Sequence, residues 1–127
     1  MKSEALRSLI YWRGKHFTSN VPTGTIDQVC VYMSGAGGSV DIKIKPSADN
    51  AAPTYQTTIS APSGASGWKC QAVNWWWDAA TLFMYRTGGT AMIGADQGLP
   101  YDSKWSSDNG QTWQGETYRR GYKLHFA

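Results

Sequence analysis

The chain has 127 residues, a mass of 14.0 kDa and a formal net charge of +3 at pH 7. Only 17% of its residues are charged, while seven are Trp and 14 are Gly. This length is that of one domain with one core, and low charge with many aromatic residues excludes an intrinsically disordered chain. No apolar run reaches the roughly 18–20 residues that span a bilayer, so we expect no membrane segment. The N-terminal residues lack the smooth apolar core of a secretory signal, so we expect a protein made without one.

The basic charge is concentrated at the N-terminus. Residues 1–16 carry the whole net charge of +3, and residues 17–127 hold equal numbers of acidic and basic side chains. This division predicts a basic arm, 1–16, and a body, 17–127, whose neutrality argues against nucleic-acid binding. The arm is either a partner-binding segment with one helical turn or a solvated terminus. Its candidate partner-binding residues are Lys2, Leu6, Arg7, Leu9, Ile10 and Arg13.

The body alternates polar and apolar residues with a period of two, which is typical of half-buried strands. Val40, Ile42 and Ile44 show this alternation most clearly. Asn109-Gly110 between two strand-like runs predicts a hairpin. Short strands with Gly-rich turns predict an all-β fold, an antiparallel sandwich or jelly roll of about eight strands. The predicted strands are Thr25–Ser34, Ser39–Pro46, Tyr55–Ala61, Trp68–Trp77, Thr81–Thr87, Thr90–Ala95, Asp102–Ser106, Gln111–Glu116 and Tyr122–Phe126.

The two cysteines, Cys30 and Cys70, both lie in apolar strand-like segments. Buried free thiols that pack as small hydrophobic side chains are the expected arrangement. One disulfide is the alternative, although two cysteines do not make a disulfide framework.

The order of these segments resembles the jelly-roll β-sandwich domains of phage tail and virion proteins and of bacterial surface proteins, which are similar in architecture to carbohydrate-binding modules. The resemblance covers about residues 17–127, and it implies a sandwich that assembles on a particle or binds a glycan. The sequence departs from the pattern of these domains at residues 75–77, at the basic arm and at Arg119-Arg120. The matching segments are Val21-Pro22, Ile26–Ser34, Val40–Lys45, Tyr55–Ser60, Ser66-Gly67-Trp68, Asp78–Tyr85 and Tyr101–Trp113.

Residues 106–113 match the Asp-box pattern S-x-D-x-G-x-T-W in full. In sialidase-like propellers this motif is a hairpin turn away from the chemistry. Asp108 would bond nearby backbone N–H groups, Gly110 would take a positive φ, and Trp113 would pack beneath. A chain of this length cannot supply the blades of a propeller, so a structural turn on a sandwich is predicted.

The sequence offers little catalytic machinery. Glycoside hydrolysis needs two carboxylates about 5–10 Å apart, and only Glu4 and Glu116 are glutamates. The histidines, His16 and His125, lie in no nucleophile or metal-ligand pattern. We therefore expect no enzyme, no resident metal and no cofactor. Bound Ca²⁺ stays open as an alternative that would use loop carboxylates. The loop carboxylates in question are Asp96, Asp102 and Asp108.

The tryptophans carry the case for a binding surface. Consecutive strand residues point to opposite faces, so Trp76 is expected to leave the core if Trp75 and Trp77 enter it. An exposed Trp stacks on a ligand or is covered by a neighbouring subunit. Trp68 and Trp113 are expected in the core. The candidate ligand or interface residues are Trp76, Trp105, Tyr101 and Asp102.

Two functions follow as hypotheses. The first is a non-enzymatic virion subunit, a capsid-decorating or tail-associated sandwich that is held by its arm and its aromatic surface. It would partner other virion proteins or itself as a homo-oligomer, and it would be located in the phage particle. The second is a carbohydrate-binding module at a cell surface or outside the cell.

Overall fold

A computed structural model describes residues 2–3, 12–18, 21–97, 103–116 and 118–127. Within these ranges every regular element is a β-strand, which confirms the predicted all-β class. The strands are β1 (Lys2–Ser3), β2 (Trp12–Phe17), β3 (Gly24–Met33), β4 (Gly38–Lys45), β5 (Tyr55–Ala61), β6 (Gly67–Trp77), β7 (Leu82–Gly89), β8 (Gly94–Gln97), β9 (Ser103–Ser106), β10 (Gln114–Glu116), β11 (Tyr118–Arg120) and β12 (Tyr122–Phe126).

The strands form antiparallel sheets consistent with a β-sandwich. One layer has six strands in the order β10-β9-β2-β7-β4-β5, and a second sheet has the order β12-β3-β6. A small sheet, β1-β8-β11, continues from the second one through a bridge between Met33 and Ile93. The edges of the two larger sheets meet where the ring of Tyr55 stacks on Trp75 at 5.2 Å.

The core between the layers is mainly aliphatic. Strand β4 sends Val40, Ile42 and Ile44 into it, as the period-two pattern predicts. Strand β3 contributes Val29 and Val31 from the opposite layer. Further core members are Ile26, Met33, Ile59, Trp75, Trp77, Leu82, Met84, Ala91, Ile93 and Tyr122.

A second, aromatic cluster lies on the other face of the six-stranded sheet. Phe83 and Tyr85 point there from β7 and are buried although they face away from the sandwich core. Trp113 covers both rings, with centroid distances of 4.7 and 5.5 Å. Gly14 of β2 permits this packing, because a Cβ atom there would lie 2.5 Å from the Phe83 ring.

Lys45 ties the loop between β4 and β5 to this aromatic cluster. Its ammonium group lies 4.9 Å from the ring centre of Tyr85 and donates hydrogen bonds to the carbonyls of Asp49 (2.6 Å) and Ala51 (3.1 Å). The indole N–H of Trp113 also donates to the Asp49 carbonyl, at 3.0 Å. Burial lowers the pKa of Lys45 and, aided by the charge of Asp49, raises the pKa of Tyr85 to about 12.

The predicted arm, 1–16, overlaps strand β2. Strand β2 begins at Trp12 and lies between β9 and β7, so part of the segment assigned to the arm belongs to the sheet. Arg13 is buried there, and its guanidinium contacts Glu116 at 2.9 Å. Both faces of β2 are covered, and for this reason the segment lacks a period-two pattern. The predicted helical turn and the arm residues Leu6, Arg7, Leu9 and Ile10 lie outside the described residues.

The expectation of free thiols is wrong. Cys30 and Cys70 are direct cross-strand partners in β3 and β6, and they form a disulfide. Facing positions on neighbouring antiparallel strands bring Cβ atoms within disulfide reach. The two cysteines are separated by 40 residues, so no local sequence pattern indicates that they face each other.

Candidate interaction surface

The outer face of the β12-β3-β6 sheet carries both of the large hydrophobic side chains that are exposed among the described residues, Trp68 and Trp76. Its side chains follow from alternation, because Val29, Val31 and Trp75 point inward and their neighbours therefore point outward. We call it the Trp76 face. Its residues are Gln28, Cys30 and Tyr32 of β3, Trp68, Cys70, Ala72, Asn74 and Trp76 of β6, and Lys123 and His125 of β12.

The triple tryptophan is arranged as predicted. Trp75 and Trp77 are 8% and 2% exposed, whereas Trp76 is 57% exposed. The hydroxyl of Tyr55 donates to the carbonyl of Trp76 at 3.1 Å. The backbone of Trp76 is therefore anchored while its indole remains open to a partner.

Trp68 is also on this face, and its predicted place in the core is wrong. It is 39% exposed, its ring lies edge-on to Tyr32 at 5.6 Å, and the ammonium of Lys123 lies 4.2 Å from its ring centre. An even separation in one strand puts Trp68 on the same face as Trp76. That parity is the sequence signal that would have placed it.

The centre of the Trp76 face holds the disulfide and an acid–base pair. Cys30 is 2% exposed beneath its neighbours, whereas Cys70 is exposed. Asp27 occupies an irregularity in β3, and its carboxylate lies 2.7 Å from Nδ1 of His125. The face therefore combines exposed rings at both ends with polar groups between them.

The Asp-box segment folds as predicted. The hydroxyl of Ser106 donates to Asp108 (2.7 Å) and accepts from the N–H of Gly110 (2.8 Å), while the N–H of Thr112 donates to Asp108 (2.9 Å). The hydroxyl of Thr112 also donates to the Asp108 carboxylate. The hydrogen bonds to this carboxylate lower the pKa of Asp108 to about 2, and the largest cause is the bond from the Thr112 hydroxyl. Gly110 has a φ of 83°. Trp113 packs beneath the turn, in the aromatic cluster rather than the sandwich core.

A shallow polar depression of about 280 Å³ lies on the outer face of β4 and β5. The carboxylate of Asp41 accepts from the hydroxyl of Thr58 at 2.9 Å, and the ammonium of Lys43 donates to Thr87 at 2.6 Å. Gln56 and Thr57 complete its lining. The alternation of β4 predicts a solvent-facing polar side for this strand, and that is the sequence signal for the depression.

Among the described residues, the other predicted ligand residue does not join Trp76. Trp105 is half-buried in β9 of the six-stranded sheet, opposite Arg13. Tyr101 and Asp102 lie outside the described residues. Lys2 pairs through its backbone with Ala95 of β8.

Metal-ligating side chains do not cluster in the part of the chain that the structure describes, where no group of three or more His, Cys, Asp or Glu residues occurs. The carboxylate of Asp108 is engaged by Ser106 and Thr112. Asp102 lies outside the described residues, so Ca²⁺ binding stays an untested expectation.

Across the described residues there is no helix with the length and hydropathy needed to cross a membrane. No protein-family model, no curated protein and no solved structure matches this chain.

Proposed function

We propose that this chain is a non-enzymatic docking subunit of a phage particle, a capsid-decorating or tail-associated sandwich that attaches through the Trp76 face. The observation that carries the proposal is the exposure of Trp76, 57%, beside Trp68 on the same face. Large aromatic side chains supply much of the binding energy of protein interfaces when a partner covers them. The resemblance of the strand order to virion sandwich domains supports the choice of partner.

The disulfide supports a protein that works outside a reducing cytosol, because such bonds persist in oxidising surroundings. A phage particle is such a setting, and a cell surface is the alternative. The neutral body supports partners that are proteins of the particle or further copies of the chain, and neither nucleic acid nor membrane.

Incorporation into particles tests this proposal. Tagged wild-type chain and Trp76→Ala would be supplied to assembling particles of the virus that carries the sequence, and purified particles would be analysed by mass spectrometry. Gln56→Ala is a matched control because Gln56 is exposed on the other sheet. We expect the wild type and Gln56→Ala in the particles and Trp76→Ala lost from them. Equal incorporation of all three would overturn docking through this face.

Glycan binding is the second candidate, and the open indole of Trp76 favours it. Sugar rings stack on exposed aromatic faces, and Asn74 lies on the same face of β6 to bond hydroxyl groups. A glycan array probed with wild type and Trp76→Ala separates the candidates. Signal lost with Trp76→Ala would favour glycan binding, and no signal from the wild type would reject it.

A further inference from the structure

Strand β6 is an edge strand whose outer side has backbone groups without a strand partner in the described residues. It pairs with β3 alone, and it lies at the end of its sheet. Unpaired N–H and C=O groups along such an edge are a template for a further strand. The question is which of its residues present those groups.

The backbone alternation identifies them. The Cα atoms of Cys30 and Cys70 are 4.1 Å apart, which is the spacing of a non-hydrogen-bonded antiparallel pair. The N–H of Tyr32, the residue opposite Trp68, accordingly bonds Gly121 on the far side of β3. The N–H and C=O groups of Trp68, Cys70 and Ala72 therefore point to the free edge.

Two contacts on this edge agree with that alternation. The carbonyl of Trp76 accepts the Tyr55 hydroxyl, and the carbonyl of Ala72 accepts the side-chain amide of Gln71 at 3.3 Å. The Tyr55 contact closes the edge at Trp76. The Gln71 contact is exposed and can be exchanged for a backbone N–H of an added strand.

We infer that β6 pairs antiparallel with β6 of a second copy of this chain, with the two-fold axis at Cys70. This register places Trp68 opposite Ala72 of the second copy, a large side chain beside a small one. It places Lys69 opposite Gln71, so no like charges face each other. A C2 dimer with one self-complementary patch results.

Two alternative registers, with the axis at Lys69 or at Ala72, are less favourable. An axis at Lys69 would bring two Lys69 side chains opposite each other, where like charges repel. An axis at Ala72 would bring Trp76 opposite Trp68, where Tyr55 occupies the carbonyl. The axis at Cys70 pairs residues 67–73 in full and stops short of Trp76.

The dimer would join two Trp76 faces into one continuous face, because pairing preserves the side on which each residue points. The pairing concerns the strand edge, so it holds or fails separately from docking by Trp76. The second copy supplies what the edge lacks, which is a row of main-chain donors and acceptors.

Sedimentation equilibrium on the full chain over a range of concentrations tests the pairing. Gln71→Glu would place two Lys–Glu pairs across the axis and tighten the dimer, whereas Gln71→Lys would create two Lys–Lys pairs and weaken it. Each change should alter Kd by about 2- to 30-fold, because two cross-strand pairs are affected. Gln111→Glu and Gln111→Lys are charge-matched controls in the exposed Asp-box turn and should leave Kd unchanged.

A second variant tests the backbone directly. Ala72→Pro removes an N–H that points to the free edge and leaves the pairing with β3, a position where edge strands accept proline. We expect a folded monomer by sedimentation and circular dichroism. A wild type that is monomeric at every soluble concentration would overturn the pairing. So would a dimer whose Kd responds equally to Gln71→Glu and Gln71→Lys, or a dimer unaffected by a folded Ala72→Pro.

Discussion

The indole of Trp113 meets the ring of Phe83 edge to face, with 4.7 Å between the ring centres. Phe83 belongs to β7 and points away from the sandwich core, so this contact covers a sheet face that would otherwise meet water. The Asp-box turn thus covers the aromatic cluster on this face of the six-stranded sheet. Trp113 therefore has a different role from Trp76, whose side chain is 57% exposed.

We expect Trp113→Ala to lower the free energy of unfolding by about 3 kcal/mol, because it leaves a cavity beside Phe83 and Tyr85. Urea unfolding followed by circular dichroism measures the change. Trp76→Ala is the matched control, and its exposed side chain should cost within about 0.5 kcal/mol. If both variants lost the same free energy of unfolding, the Trp113 indole would not be packed more tightly than the exposed indole of Trp76.

Acid should weaken the Asp-box turn through Asp108. Hydrogen bonds from Thr112 and Ser106 lower the folded-state pKa to about 2 from the ordinary 3.8. The stabilisation is therefore present above the ordinary pKa and is lost as pH falls from about 4 through about 2. The urea midpoints of wild type and Asp108→Asn should differ at pH 5 and converge near pH 2. A constant difference would show that the charge of Asp108 plays no part.

The disulfide should stabilise the sandwich by restricting the unfolded chain. It closes a loop with a sequence separation of 40 residues. We expect the Cys30→Ala, Cys70→Ala double variant to lose about 2–4 kcal/mol. Urea unfolding with and without reductant measures this, and only the wild type should respond to reductant. Free thiols titrated in the folded wild type would contradict the bond.

Because strand β2 begins at Trp12, two N-terminal deletions should have different effects on folding. Deletion of residues 1–11 removes β1 and keeps β2, so the sandwich should retain a cooperative unfolding transition. Deletion of residues 1–16 removes most of β2, which lies between β9 and β7, and should abolish that transition. Near-ultraviolet circular dichroism distinguishes the two. If the folded 12–127 chain still enters particles, the arm is not the segment that binds the partner.

Most strands, the hairpin and the direction of Trp76 were predictable from the sequence. These features depend on local sequence, because the alternation of side chains within one strand decides which of them face the core. Strand β5, Tyr55–Ala61, and strand β12, Tyr122–Phe126, have the predicted bounds for this reason. The Asp-box turn was predictable because Ser106, Asp108 and Thr112 bond one another within a few residues.

The disulfide, the place of β2 and the aromatic cluster were not predictable, because each depends on contacts between segments far apart in the sequence. The disulfide depends on the register of two strands far apart in sequence. Strand β2 has no alternation, because Arg13 lies on one side while Gly14 contacts the Phe83 ring on the other. Long-range pairing also places β6 at an edge of its sheet, and the register with β3 points the backbone groups of Trp68, Cys70 and Ala72 to the free side. A period-two pattern records which residues face a sheet's core, but it does not record which strand lies next to which.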